Sequence, residues 1–354
     1  MSGPTSANKN AVLPWRSFDS SGAMTEVPEV SIIIPLHRWG ERSARSVTRC
    51  LELRQSSSVE VIVVSDRPID EVPRDAALIV TGSSSDTSPA IKRDIGRSIA
   101  RGHFLAYIDD DAFPEFDWID RALEAIRDLR VDGVGGPGLT PNDSNWRERL
   151  SGAVYGSILG SGPLRYRFVA HSPARVVNEV PAYNFIVKSE CIDAVGGWNS
   201  SFYGGEDTDL CTRLRSQGFR LGYTPDAVVY HYRRPPRHHL RQVGNVGRHR
   251  GYFVRRRDAS SLRGMYFAPT LIAVSFPIGV GLAAIGAIRQ PLLTLGILAG
   301  LWMALAGLAI KDVGMRAILF PVVLLAHHLW YGVNFIYGLI TRTLDSERDL
   351  HNPP

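Results

Sequence analysis

Three long stretches near the end of the chain carry no charge. Residues 265–288, 291–310 and 317–340 contain no Asp, Glu, Lys or Arg. A helix needs roughly 20 apolar residues to cross the hydrocarbon layer of a bilayer. Soluble helices of that length keep a polar face, so two to three membrane-spanning helices are expected here rather than a buried hairpin of core helices. Arg289-Gln290-Pro291 joins the first two stretches so tightly that they form either a full hairpin or a re-entrant pair. His327, His328 and Asn334 interrupt the third. Polar groups at such depth serve helix–helix hydrogen bonds or mark a polar path.

The charge that these stretches lack is concentrated just before them. Residues 231–263 hold ten Arg and one acid, Asp258, within a chain whose net charge is +5. By the positive-inside rule this side, and the large N-terminal region with it, faces the cytoplasm of a multi-pass cell (inner) membrane protein. A polybasic segment beside a span also attracts anionic lipid headgroups. The apolar stretch that follows at once argues against reading the Arg run as a nucleic-acid site. Three cysteines, Cys50, Cys191 and Cys211, are far apart and odd in number. They indicate neither a disulfide framework nor a zinc ribbon, and suit a reducing cytoplasm. Residues 1–29 have no apolar run longer than Ala11–Leu13 and read as a mobile tail rather than a signal peptide.

Between tail and Arg run, the pattern is alternating α/β. VSIIIP at 30–35 and VEVIVVS at 59–65 are nearly continuous apolar runs, as buried parallel strands require. Residues 77–80 and 104–108 give further strands, and helical spacing recurs over 41–55, 89–100 and 115–130. Such alternation predicts a mostly parallel sheet with helices on both faces. Ligands then sit beyond the carboxyl ends of the strands, after Pro35, Ser65 and Ile108.

Chemistry-bearing residues do follow those ends. Asp109-Asp110-Asp111 closes the fourth strand. Adjacent carboxylates repel, and a divalent cation, basic neighbours or solvent must offset the repulsion. Mg²⁺ and Mn²⁺ favour carboxylate oxygen and bridge to phosphates. In an extended segment Asp109 and Asp111 would share a face and Asp110 would take the other. A solvated acidic turn ahead of a helix is the bland alternative. Further on, Gly204-Gly205 precedes Glu206, Asp207 and Asp209 in a helix's first turn. An acid there is either a general base or a helix cap. Finally, Ala227–Tyr230 delivers His231 beside Arg233 and Arg234, as a metal ligand or as a surface histidine.

In this order the segments SIIIPLHR, VEVIVVSD, SPAIKRDIG, HFLAYIDDDAFP, PAYNFIVKSECIDAVGGWNSSFYGGEDTDLCTRLRSQGFRLGY and VVYHYR resemble the family 2 glycosyltransferases of GT-A fold, over about residues 30–235. The resemblance implies a Rossmann-like, mostly parallel α/β domain over 30–235. A basic juxtamembrane segment would follow at 236–264, transmembrane helices at 265–341 and a tail at 342–354. It further implies metal-dependent, inverting transfer of a sugar from a nucleotide-diphosphate donor. The acceptor would be a hydroxyl of a lipid-linked or membrane-associated glycan, as in cell-envelope polysaccharide synthesis, or else a polyprenyl phosphate. Mapped residue by residue, Pro35, His37, Asp66, Arg93, Asp109 and Asp110 would border the nucleotide sugar. Asp111, Asp109 and His231 would hold Mn²⁺ or Mg²⁺. Asp207 would act as base with Glu206 its acidic neighbour, and Trp198 and Gly205 would line the acceptor side. Asp94 stands where the family usually has Asn after the Arg. The QxxRW motif of the family's processive synthases is missing from RRPPRHHLRQVGNVGRHRG, which implies addition of one or a few sugars. Homo-oligomerisation is left open.

Overall fold

Every residue of β1 (Val30–Pro35) and of β2 (Val59–Ser65) is buried. Burying one Val or Ile side chain contributes about 1.5–3 kcal/mol, so these strands form the centre of a sheet covered on both faces. The computed structural model describes residues 27–53, 58–83, 87–170, 173–200, 205–257, 261–284 and 291–341. The tails at 1–26 and 342–354 and the Arg289–Gln290 connection lie outside the described residues. Contacts divide the chain into two units. One takes Met1–Gly136, Ala174–Ser200 and Arg213–Val229; the other takes Pro137–Pro173, Ser201–Thr212 and Tyr230–Pro354.

The first unit is built on an eight-stranded sheet. After β1 and β2 come β3 (Ala77–Val80), β4 (Phe104–Tyr107), β5 (Gly133–Gly135), β6 (Arg175–Val177), β7 (Phe185–Lys188) and β8 (Leu221–Tyr223). Their order is β3-β2-β1-β4-β7-β5-β8-β6. β1 pairs in parallel with both β2 and β4, with Val30 opposite Val59 and Phe104. β7 runs antiparallel to both β4 and β5, and β6 antiparallel to β8. The sheet is thus mixed but mostly parallel, as the continuous apolar runs require. Helices α1 (Glu41–Glu52), α2 (Pro89–Ile99) and α3 (Trp118–Leu129) match the sequence reading to within a few residues. Trp118 of α3 is fully buried, and its indole N–H donates to Asn184 Oδ1 at 2.9 Å. Asn184 in turn donates to Ala227 O at 2.8 Å, so one side chain ties α3 to two loops. The parallel strands end on a common edge, which gathers the segments after Pro35, Ser65 and Tyr107.

The second unit is helical. It contains α4 (Trp146–Gly156), residues 206–212 of α5 (Glu206–Ser216), α6 (Pro236–Arg255), α7 (Ala268–Ala284), α8 (Pro291–Gly307) and α9 (Phe320–Ile340). Among the described residues, two helical segments, Gly264–Gly281 and Ile310–Ile340, are long and apolar enough to cross a membrane; Gly296–Gly307 is apolar but shorter. Leu150 and Val154 of α4 pack on Phe320 and Leu324 of α9. α6 and α9 approach backbone to backbone. A Cβ on Gly247 would stand 2.5 Å from Tyr331 O, and one on Gly251 2.1 Å from Phe335 O. His239 Nε2 meets His327 Nδ1 at 3.0 Å across the same pair, so His327 makes a helix–helix hydrogen bond. Asn334 instead donates to Trp330 O of its own helix, at 2.8 Å.

Gly251 is therefore a packing requirement. Gly251→Leu is expected to lower the stability of the detergent-solubilised chain by about 1–3 kcal/mol through overpacking. Gly264, with nothing near its added Cβ, tolerates Ala to within about 0.5 kcal/mol. Thermal unfolding of both variants checks this.

Candidate active site

Beyond β4 the chain turns sharply. Ala112 N–H donates to Asp109 O at 3.1 Å, so Asp109–Asp111 sit in a turn and not in the extended run that the alternation argument assumed. Within the turn a carboxylate oxygen of Asp109 and one of Asp111 come within 4.8 Å of each other. Asp109 Oδ1 accepts from Arg93 Nη2 at 2.7 Å. Asp110 Oδ2 accepts the backbone N–H of His37 at 2.7 Å, which joins the end of β1 to the turn. Burial, then the charge of Asp111, push the Asp110 carboxyl up to about 7; Asp109 adds to this, while the N–H groups of His37 and Arg38 oppose it. The Asp109 and Asp111 carboxylate oxygens are the hard donors that Mg²⁺ and Mn²⁺ prefer, and their closeness suits one divalent cation.

Asp66, directly after β2, is enclosed. Its Oδ2 lies 2.7 Å from Lys92 Nζ and accepts Thr87 N–H at 3.1 Å, while Oδ1 accepts the Thr81 hydroxyl at 2.9 Å. Burial alone would raise this carboxyl. The bonds from Lys92, Thr87 and Thr81 outweigh it and hold the group below the usual carboxylate range. Lys92 Nζ also donates to Leu36 O at 2.7 Å, so one ammonium pins the ends of both β1 and β2.

α2 organises this edge. Ser88 caps it, accepting Ile91 N–H at 3.3 Å, and Pro89 opens its first turn. Lys92 and Arg93, each 2% exposed, face inward from successive positions. The Arg93 guanidinium lies 4.7 Å from the centre of the Trp198 ring, which meets Tyr107 edge-on at 5.0 Å. Trp198 is 5% exposed, and its backbone N–H donates to Asp94 Oδ1 at 3.0 Å.

In the second unit, Glu206 and Asp207 occupy the first turn of α5, where acids complement the helix dipole. Asp207 Oδ1 accepts Thr208 N–H at 2.8 Å. α6 packs on this turn. A Cβ on Gly205 would come within 3.1 Å of His249, and the buried Arg250 donates to Thr208 Oγ1 at 3.0 Å and to Ser261 Oγ at 3.2 Å. His231 ends the strand Val229–His231, with its Nδ1 3.1 Å from Arg233 Nη1. A guanidinium only donates, so Nδ1 accepts here and the proton of the neutral ring falls on Nε2. In this arrangement His231 offers an N–H; metal ligation through Nε2 requires the Arg233 contact to give way.

Residues 104–337 match the family model described as glycosyl transferase family group 2. The chain belongs to this glycosyltransferase family. It is 30% identical over 210 residues to a pre-mycofactocin glycosyltransferase of Mycobacterium tuberculosis, covering 57% of the chain and 42% of that protein. The chain thus spans less than half the length of this relative. Glycosyltransferase AglE of Haloferax volcanii is 25% identical over 265 residues, covering 71% of the chain and 82% of the relative. The fold resembles the mannosyltransferase PcManGT of Pyrobaculum calidifontis, solved in complex with GDP-Man and Mn²⁺, with a TM-score of 0.54. That match has 19% identity and covers 86% of this chain and 87% of the other. The family 2 resemblance and the GT-A-like α/β architecture expected from the sequence are both borne out.

Within this family 2 chain, sequence reasoning singled out Arg93 but passed over Lys92, Tyr107 and Arg250. Lys92 had a legible signal, since it shares a helical face with Gly96 and follows two residues after Ala90, both buried. Arg250 was lost among ten arginines. Lys92→Met should cost about 3–5 kcal/mol at neutral pH, because it strands a buried carboxylate. The Asp66 carboxyl is held low when folded, so the pair's contribution is complete above the ordinary carboxylate range and lost as pH falls through the folded value. The penalty of Lys92→Met therefore shrinks below about pH 4. Urea unfolding at both pH values measures it.

Proposed function

We propose that this chain transfers a sugar, with inversion, from a nucleotide-diphosphate donor to a hydroxyl of a lipid-linked or membrane-associated glycan at the cytoplasmic face of the membrane. The observation that carries the reading is the Asp109–Asp111 turn at the carboxyl end of a parallel strand, gripped by Arg93 and by the His37 amide. That edge is where open α/β sheets bind ligands. Family membership and the donor bound by the solved mannosyltransferase support a nucleotide sugar. The two membrane-length helices support an acceptor at a bilayer.

In this reading Asp111, Asp109 and His231 would hold Mn²⁺ or Mg²⁺, which when bound supplies Lewis-acid neutralisation of the departing diphosphate. Arg93 keeps Asp109 oriented toward the phosphates, and Asp110 and the Pro35–His37 backbone border the nucleotide. Asp66 fixes the shape of the base pocket through Lys92. Asp207 takes the proton from the acceptor hydroxyl as the oxygen attacks the face of the anomeric carbon opposite the leaving group. Glu206 is its acidic neighbour, Arg250 holds the turn through Thr208 and Ser261, and Gly205, against which His249 packs, would line the acceptor side.

Membranes containing the chain, given a donor panel with Mn²⁺ or Mg²⁺, should release nucleoside diphosphate. Asp111→Asn is expected to abolish both release and donor binding. Asp207→Asn should slow transfer by about 10²–10⁴-fold while leaving donor affinity intact. Equal loss of donor affinity in both variants would refute the division of roles. An Asp207→Asn enzyme with unchanged rate would point instead to an acceptor that is already ionised, such as a polyprenyl phosphate.

A further inference from the structure

The short helix Ser189–Ala194 is followed by a turn of unusual conformation. Gly196 and Gly197 have φ of +75° and +80°, which L side chains rarely adopt. Arg213 Nη1 donates to Val195 O at 2.8 Å and to Gly197 O at 2.7 Å, holding the turn's carbonyls. From the other side Asp94 Oδ1 accepts Trp198 N–H, and lies where a Cβ on Gly197 would be, 2.3 Å away. Asp94 Oδ1 is itself held by Arg97 Nε at 3.2 Å, and Arg97 Nη1 reaches Asp193 Oδ1 at 2.5 Å. The turn is clamped at carbonyls and amide alike, and the clamp fixes one side chain, Trp198.

Trp198 has no exposed face to offer an incoming sugar. Its ring is covered by the Arg93 guanidinium and braced edge-on by Tyr107. Arg93, in turn, is the residue that grips Asp109. Neighbouring positions on α2 thus do complementary work: Asp94 fixes the backbone of Trp198, and the Trp198 ring fixes the guanidinium of Arg93.

We infer that Asp94 and Trp198 are positioning residues for the donor side of the site, acting through Arg93 to hold Asp109 toward the metal and diphosphate. This rests on the proposed function, which makes Asp109 a donor-binding group. It departs from the expectation that Trp198 serves the acceptor. It also gives the aspartate found in place of the family's usual Asn a definite task, that of an acceptor for Trp198 N–H.

The test is binding of UDP and of GDP, each with Mn²⁺, to the full chain in detergent by titration calorimetry, alongside acceptor KM in membranes. Trp198→Leu and Asp94→Ala should weaken binding of whichever nucleotide the wild type prefers by roughly 3- to 30-fold, the range expected for losing a cation–π support. Acceptor KM should stay within about twofold of wild type. Asp94→Asn keeps an oxygen for Trp198 N–H, and Trp198→Phe keeps a ring under Arg93, so both should restore most of the affinity. Thermal melting identifies any variant that is simply unfolded, and the two rescue variants then carry the comparison. A rise in acceptor KM with nucleotide binding unchanged would overturn the inference, as would Asp94→Asn proving as defective as Asp94→Ala. Asp111→Asn serves as the control: if it binds nucleotide and Mn²⁺ normally, the proposed function fails rather than the positioning role.

Discussion

A guanidinium with almost no solvent access must find an anion, because an unpaired buried charge costs several kcal/mol. Arg93 finds Asp109 at 2.7 Å, and much of the first unit follows from that contact. It requires α2 to lie against the carboxyl ends of β1 and β4, which their parallel pairing brings to one edge. With Asp109 committed, the other two acids must turn elsewhere, and the chain makes room by turning after Ile108. Asp110 takes the His37 amide. Lys92, one residue before Arg93, applies the same logic to the end of β2 through Asp66. Two adjacent buried cations on one helix therefore fix the positions of two acidic loops.

The second unit reaches its acidic turn by another route. Glu206, Asp207 and Asp209 crowd the start of α5, favoured by the helix dipole but repelling one another. Arg250 brings a buried positive charge beside them, held by Thr208, Ser261 and the face of Tyr266 at 4.3 Å. α6 can place that charge only because it is locked against α9, where glycines let the backbones touch. Mutations in the α6–α9 contact should therefore be felt, through Arg250, at the turn that opens α5.

How much of this was legible depended on what each feature buries. β1, β2 and β4 announced themselves because strands covered on both faces need unbroken apolar runs, and β3 is a short apolar run at the sheet's edge. β5, β6 and β8 have three residues each, too few for a period to emerge. The first and third acids of the Asp109–Asp111 triplet do come together, within 4.8 Å, as the sequence suggested. The turn that does this was not legible, because alternation describes only extended chain. Asp94 stood out as a departure from the family pattern, yet its role rests on a backbone amide 104 residues away in sequence. No local pattern encodes such a contact.

The Arg run shows how counting charges overstates their availability. Arg250 is buried beneath Tyr266. Arg255 donates to Ile340 O at 3.1 Å, at the carboxyl end of α9 where a cation complements the dipole. Arg248 lies over the Tyr337 ring at 5.1 Å and Arg256 over Tyr252 at 5.7 Å. A basic residue near an anionic leaflet gains about 1 kcal/mol, but only with its charge free to face headgroups. Arginines already engaged in joining α6 to α9 and to the acidic turn contribute less than their number suggests. Arg250 serves the half-buried turn at Glu206–Asp209 and Arg255 the carboxyl end of α9, so both charges are used within the chain.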